Sequence, residues 1–274
     1  MSNSETTSGL LTFGGHLDVL RKMLFRIIIV VVILGGIIFC FKKETFTLLL
    51  APHNSDFCTF QFIEHLINSL GFDFHFNDYK LPLISTELSA QFMTHITVSC
   101  ILALLLASPY ILFELFKFIS PALYEREKKY SYLVAGIIYF LFILGLLMSY
   151  FVLFPISFQF LANYQVDDEI VNTITLDSYI STFTTLTFLM GIVFQLPVIA
   201  FILGKMGFID APILKRYRSY AFIIIMVIAA IITPPDIFTL ILVTIPIYGL
   251  YEVSILVLKK WAKPIEDVEE SADS

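Results

Sequence analysis

The stretch "IITPPDIFTLILVTIPIYGLYE", residues 231–252, decides the fold. It lies inside an apolar run from Tyr220 to Leu258, which two adjacent prolines and an aspartate divide in two. Proline ends a helix, and aspartate starts the next by accepting from its free N–H groups, so the stretch reads as a helical hairpin with Thr233, Pro234 and Asp236 at its turn. The first arm has about 13 apolar residues, ~20 Å as helix. The second is interrupted by Pro246 and carries Glu252, leaving about 15, or ~22 Å. Both are undersized against a hydrocarbon layer of ~30 Å. Two readings follow: a wall that draws the bilayer inward, or a packed hairpin sheltered by longer neighbours.

Working outward, the same texture fills the chain. Of 274 residues 58% are hydrophobic and 15% charged, with a mean hydropathy of +0.85, outside the range of soluble globular domains. Apolar blocks of about 15 to 25 residues, without period-two alternation, indicate a helical membrane protein rather than a barrel. Six spans are expected: 24–41, 88–107, 132–154, 179–203, 220–232 and 237–258, with the fifth and sixth short. The first block lacks a small-residue cleavage site and reads as a retained span. The net charge of −6 speaks against a nucleic-acid partner. Cys40, Cys58 and Cys100 offer neither a disulfide framework nor metal-ligand spacing.

An even number of spans puts both termini on one side, and basic residues identify it. Of 17 Lys and Arg residues, all but Lys42, Lys43 and Lys80 flank one face, including Arg21, Lys22, Arg26, Lys205, Arg218 and Lys260. The positive-inside rule makes that face cytoplasmic. The first outer segment, 44–87, is expected to form a cap. Phe62, Ile63, Leu66, Ile67 and Leu70 repeat at helical spacing up to Gly71, and "FDFHFNDYKL" (72–81) reads as a hairpin. His53, His65 and His75 there read as solvated loop residues.

Within the second span Gln91, His95 and Ser99 form a polar stripe, either interhelical glue or the lining of a solute path. Pro109 is expected to stop that span, leaving "PYILFELFKFI" (109–119) as an amphipathic surface segment. No HExxH, GxSxG, Walker A or CxxC motif is present, and intramembrane carboxylates are too few for a proton-coupled carrier. On the basic face, "SPALYEREKKY" (120–130) places Glu125 and Glu127 among Arg126, Lys128 and Lys129. This is either a topogenic loop with balancing acids, or a carboxylate site able to grip a guanidinium through its planar fork.

The motifs "GHLDVLRKML" (15–24), "ASPYILFELFKFISPALYEREKK" (107–129), "YFVLFP" (150–155), "FQLPV" (194–198) and "ITPPDIFTLILVTIPIYGLYE" (232–252), in that order, resemble those of the TatC family of the twin-arginine protein translocase. The resemblance runs from about residue 10 to 260, leaving 261–274 as an acidic tail. It implies an all-α polytopic protein of the cytoplasmic (inner) membrane, without catalysis or cofactor. It also implies a receptor for the paired arginines of signal peptides on folded cargo. Single-span TatA- and TatB-type partners, self-association in a larger complex and export driven by the proton-motive force belong to the same expectation.

Residue by residue, the family's signal-binding glutamate falls on Glu127, with Phe118 and Glu125 beside it. The amino-terminal motif usually reads HLxELR. His16, Leu17, Leu20 and Arg21 match it, but Val19 stands where the second acid belongs and Asp18 precedes it. That offset rotates the carboxylate by ~100° on a helix, so Asp18 is expected to substitute in part. Gln195 occupies a position where some members carry glutamate. It serves either a partner helix or a carbonyl freed by Pro197, and Thr233 and Asp236 at the hairpin tip complete the expected partner-facing set. A secondary carrier of a small polar solute, through the polar stripe, is the alternative.

Overall fold

The computed structural model describes residues 13–54, 56–69, 71, 82–119, 131–167 and 172–261, with only the backbone of 13–16, 116–119, 131–134 and 261. The hairpin expected at 72–81, and His75 in it, lie outside the described residues, as does the tail beyond Trp261.

The described residues are helical almost throughout. Helix α1 (Phe13–Cys40) crosses to α2 (Lys42–Leu50), a 3-10 turn at Ala51–His53 and α3 (Cys58–Ser69). Helix α4 (Ala90–Ile119) returns along α1. Helices α5 (Ser131–Met148) and α6 (Phe154–Asn163) are joined by a wide π turn at Ser149–Leu153. Next come α7 (Leu176–Val193), α8 (Leu196–Lys205), the short α9 (Ala211–Arg216), α10 (Arg218–Ile232) and α11 (Ile237–Trp261).

Five segments are long and apolar enough to cross a membrane: Leu17–Cys40, Ala90–Leu115, Ala135–Asn163, Leu176–Lys205 and Ile237–Lys260, with Arg218–Ile232 a shorter apolar helix. Their outward faces are greasy: Phe25, Ile28, Val32 and Ile33 on α1 and Ile223, Ile224 and Ile231 on α10 are exposed. Such continuous apolar surface suits lipid, not water. Apart from Lys42 and Lys43 at the start of α2, the described basic residues fall where α1 and α10 begin and where α8, α9 and α11 finish.

The hairpin prolines end α10 as expected, but Pro109 and Pro246 do not interrupt their helices. Pro109 was expected to end the second span, yet it sits inside an unbroken α4 of 30 residues. Proline removes the N–H that would serve the carbonyl four residues earlier. The Ser108 hydroxyl donates to that carbonyl, Leu105 O, at 2.6 Å, and the helix survives. Pro246 likewise sits inside an unbroken α11 of 25 residues, so that helix is not undersized. The expected shortness holds for α10, whose 15 residues extend ~22 Å. Pro155 follows the same logic as Pro109: the Phe151 carbonyl it leaves free accepts from the Thr59 hydroxyl of α3. Pro197 coincides with a true break, where α7 gives way to α8 at Phe194 and Gln195, and Pro234 and Pro235 stand in the gap between α10 and α11.

The core lies between α5, α6, α7, α10 and α11, with Leu153, Phe154, Tyr179, Leu186, Met190, Val243 and Ile247 almost fully buried. Glycines let α5 and α7 approach closely. A Cβ on Gly145 would lie 2.7 Å from Met190 O, and one on Gly191 would lie 2.8 Å from Phe142. Toward the non-basic end the core turns aromatic. Phe154 meets Tyr179 and Phe183 edge-on at 5.0 and 4.9 Å, and the Tyr179 hydroxyl donates to Leu49 O. His53, expected in solvent, instead packs its ring against Phe158 and Tyr179. A two-residue parallel ladder, β1 (Leu83–Ile84) with β2 (Ile174–Thr175), joins the segments leading into α4 and α7.

Candidate functional site on the basic face

The first turns of α1 and the last turns of α4 form the described part of this face. Asp18 lies on α1 and pairs with Lys22 one turn on, at 2.8 Å; both side chains are more than half exposed. Arg21 projects over the Phe25 ring, 5.7 Å from its centroid. Val19, standing at the family's glutamate position, is itself exposed, so that position faces outward even without its acid. Asp18 is therefore accessible, though a resident lysine already holds it.

Deeper in the same corner is a group the sequence reading passed over. Glu114, only 5% exposed, receives Arg26 of α1 at 3.4 Å through Oε2. Its Oε1 accepts from the Tyr110 hydroxyl at 3.2 Å. Arg26 is itself about half exposed. The signal for this cluster was a single glutamate in the apolar string "YILFELF" (110–116), which gains meaning only once α4 runs straight past Pro109. Phe118 falls in the last turn of α4, where the backbone alone is described, and Glu125 and Glu127 lie outside the described residues.

The residues expected to face partners sit elsewhere. Gln195, at the α7–α8 break, donates through Nε2 to Ile138 O of α5 at 3.1 Å. It therefore serves a neighbouring helix's carbonyl, not the one freed by Pro197. Thr233 is buried and its hydroxyl donates to Ala229 O at 2.9 Å. Asp236 caps α11, its Oδ1 accepting from Thr239 N–H at 2.6 Å, as read from the sequence. Its Oδ2 is buried without a hydrogen-bond partner among the described residues. At the base of the hairpin Arg218 and Glu252 close α10 against α11 at 2.6 Å. No group of three or more potential metal ligands occurs among the described residues.

Residues 15–246 match the family model described as Sec-independent protein translocase protein (TatC). The chain is 34% identical to the Sec-independent protein translocase protein TatC of Blattabacterium sp. subsp. Periplaneta americana, over 89% of this chain and 94% of that one. It is 33% identical to the TatC protein of Desulforapulum autotrophicum, over 99% and 92%. Two crystal structures of the twin arginine translocase receptor TatC superpose with TM-scores of 0.71 and 0.73, at 32% and 31% identity. They cover 89% of this chain in each case and 98% and 99% of theirs. With bundle, motifs and relatives in agreement along nearly the whole length, the chain belongs to the TatC family and is a non-catalytic, multi-pass subunit of the twin-arginine protein translocase of the inner membrane.

Proposed function

We propose that this subunit is the receptor for twin-arginine signal peptides and that the basic face, turned to the cytoplasm with both termini, captures the arginine pair. The observation that carries the reading is the match to solved structures of the twin arginine translocase receptor at over 30% identity. On this basis Glu127 is the principal carboxylate and Asp18 a partial second one, with Phe118, Arg21 and Glu125 shaping the surface between them. A guanidinium gripped bidentately by a carboxylate gains charge-assisted hydrogen bonds that a lysine ammonium matches only as a point charge. That difference accounts for a demand for arginine.

Single-span TatA- and TatB-type partners would gather along the wall made by α8, α10 and α11, where Gln195 and the hairpin tip with Thr233 and Asp236 are placed. The short α10 supports a local thinning of the bilayer on that side. The test is a photo-crosslink between the full-length protein in membranes and a signal peptide carrying Arg-Arg or Lys-Lys. The Arg-Arg peptide should crosslink near Glu127 and the Lys-Lys peptide should not; equal yields from both peptides would refute the receptor assignment. Glu127→Ala should abolish the crosslink while leaving membrane insertion intact.

A further inference from the structure

The polar stripe of α4 does not run through the bundle. Ser99 turns its hydroxyl back to His95 O of its own helix, at 2.7 Å, and Val98 beside it is fully buried. What the stripe does build is an open cleft of 530 Å³ at the non-basic end. Lys42 of α2, Ser85 and Glu87 before α4, and Gln91 and His95 on its first turns supply the polar lining. Leu88 and Phe92, both exposed, supply an apolar rim.

His95 is the built part of this site. The residue is 7% exposed, and its ring is stacked on Phe39 at 4.1 Å and met edge-on by Phe46 at 5.8 Å. These rings fix the imidazole in place, yet its Nε2 is buried with no hydrogen-bond partner among the described residues. A buried polar atom is seldom left unmatched, so a group entering the cleft is the natural partner. Lys42 and Glu87 are exposed, and neither forms an ion pair among the described residues. The cleft thus offers one cation, one anion, an amide and an imidazole, beside a greasy edge.

Its level in the membrane narrows the occupant. Helix α1 ends at Cys40 and α4 begins at Ala90, so the cleft lies where helices leave hydrocarbon for the headgroup layer. We propose that it binds a zwitterionic phospholipid whose headgroup carries a phosphate and a primary amine. The phosphate sits against Lys42, Gln91 and His95, and the ammonium donates to Glu87. The acyl chains run over Phe92 and the exposed Met93 and Ile96 along α4. Phosphatidylglycerol lacks the cation, and phosphatidylcholine has no N–H to give a carboxylate. The proposal rests on the membrane setting and not on the signal-peptide reading, so each can fail without the other.

The test is lipid retention by the purified full-length protein in mild detergent, measured by native mass spectrometry. The protein is first mixed with equal amounts of phosphatidylethanolamine, phosphatidylglycerol and phosphatidylcholine of matched chains. Phosphatidylethanolamine should be retained over both others by about fivefold, the size of one charge-assisted hydrogen bond partly exposed to water. Glu87→Gln, at an exposed loop position, should remove that preference without shifting the thermal midpoint. Lys42→Ala should lower retention of all three lipids. Soluble phosphoethanolamine, lacking chains, should fail to displace the lipid. Equal retention of the three lipids, an unchanged preference in Glu87→Gln, or displacement by phosphoethanolamine would each overturn the assignment.

Discussion

Arg26 on α1 and Glu114 on α4 meet at 3.4 Å, the arginine half in solvent and the glutamate almost wholly enclosed. The asymmetry decides which partner is harder to lose. Without Arg26, a carboxylate is stranded in a low-dielectric corner with only Tyr110 to satisfy it. Without the charge on Glu114, Arg26 turns to water. Arg26→Ala should therefore cost about 2 kcal/mol and Glu114→Gln less than about 1 kcal/mol. The double variant should recover part of the loss. Denaturation of the four proteins in one detergent gives the coupling energy, and strict additivity would mean that the pair contributes nothing.

The close approach of α5 to α7 gives a second expectation. A methyl group on Gly145 would lie 2.7 Å from the Met190 carbonyl, and backbone cannot yield as a flexible side chain can. Gly145→Ala should destabilise the fold by about 1–3 kcal/mol, as overpacking does. Gly36→Ala, where nothing lies within 4 Å, should be neutral or slightly stabilising through helix propensity. Thermal midpoints of the two variants, measured side by side, check the contrast.

Asp236 belongs to the hairpin by virtue of its cap. Replacing it by Ala removes the acceptor for Thr239 N–H and should cost about 1 kcal/mol, whereas Asn, another good cap, should retain most of it. If Asp236→Asn were as damaging as Asp236→Ala, the carboxylate charge rather than the cap would be the reason for this residue. Protease accessibility at the hairpin tip reads the difference locally.

Lys22 supplies a test of the divided receptor site. Its pair with Asp18 is exposed and screened by water, so Lys22→Ala should leave stability unaltered. It should strengthen the Arg-Arg crosslink, because Asp18 is released for the visiting guanidinium. Asp18→Ala should weaken the crosslink less than Glu127→Ala does. A Lys22→Ala protein indistinguishable from the parent would remove Asp18 from the site.

Much of this was readable before any coordinates, for reasons that differ by residue. Blocks of apolar residues mark spans whatever their packing, and the Asp236 cap is a local bond between near neighbours in sequence. Pro109 misled because the rescue of the Leu105 carbonyl by Ser108 depends on a hydroxyl rotamer, which composition does not reveal. Pro246 misled in the same direction: a proline and a glutamate shortened the apolar count of α11 but not the helix. The Glu114 cluster and the aromatic seat of His53 are long-range, joining elements far apart in the chain, and no spacing rule anticipates them. Gln195 reads from the sequence as serving a partner helix or a carbonyl freed by Pro197. Its partner, Ile138 O, lies 57 positions away and became visible only with α5 in place.

The ladder of Leu83–Ile84 with Ile174–Thr175 is small, yet it works as a rivet. It pins the mouths of α4 and α7 together, so those two helices cannot part at that end without tearing main-chain bonds. Relative movement of these two helices is thereby left to their opposite ends, which no such main-chain pairing joins among the described residues.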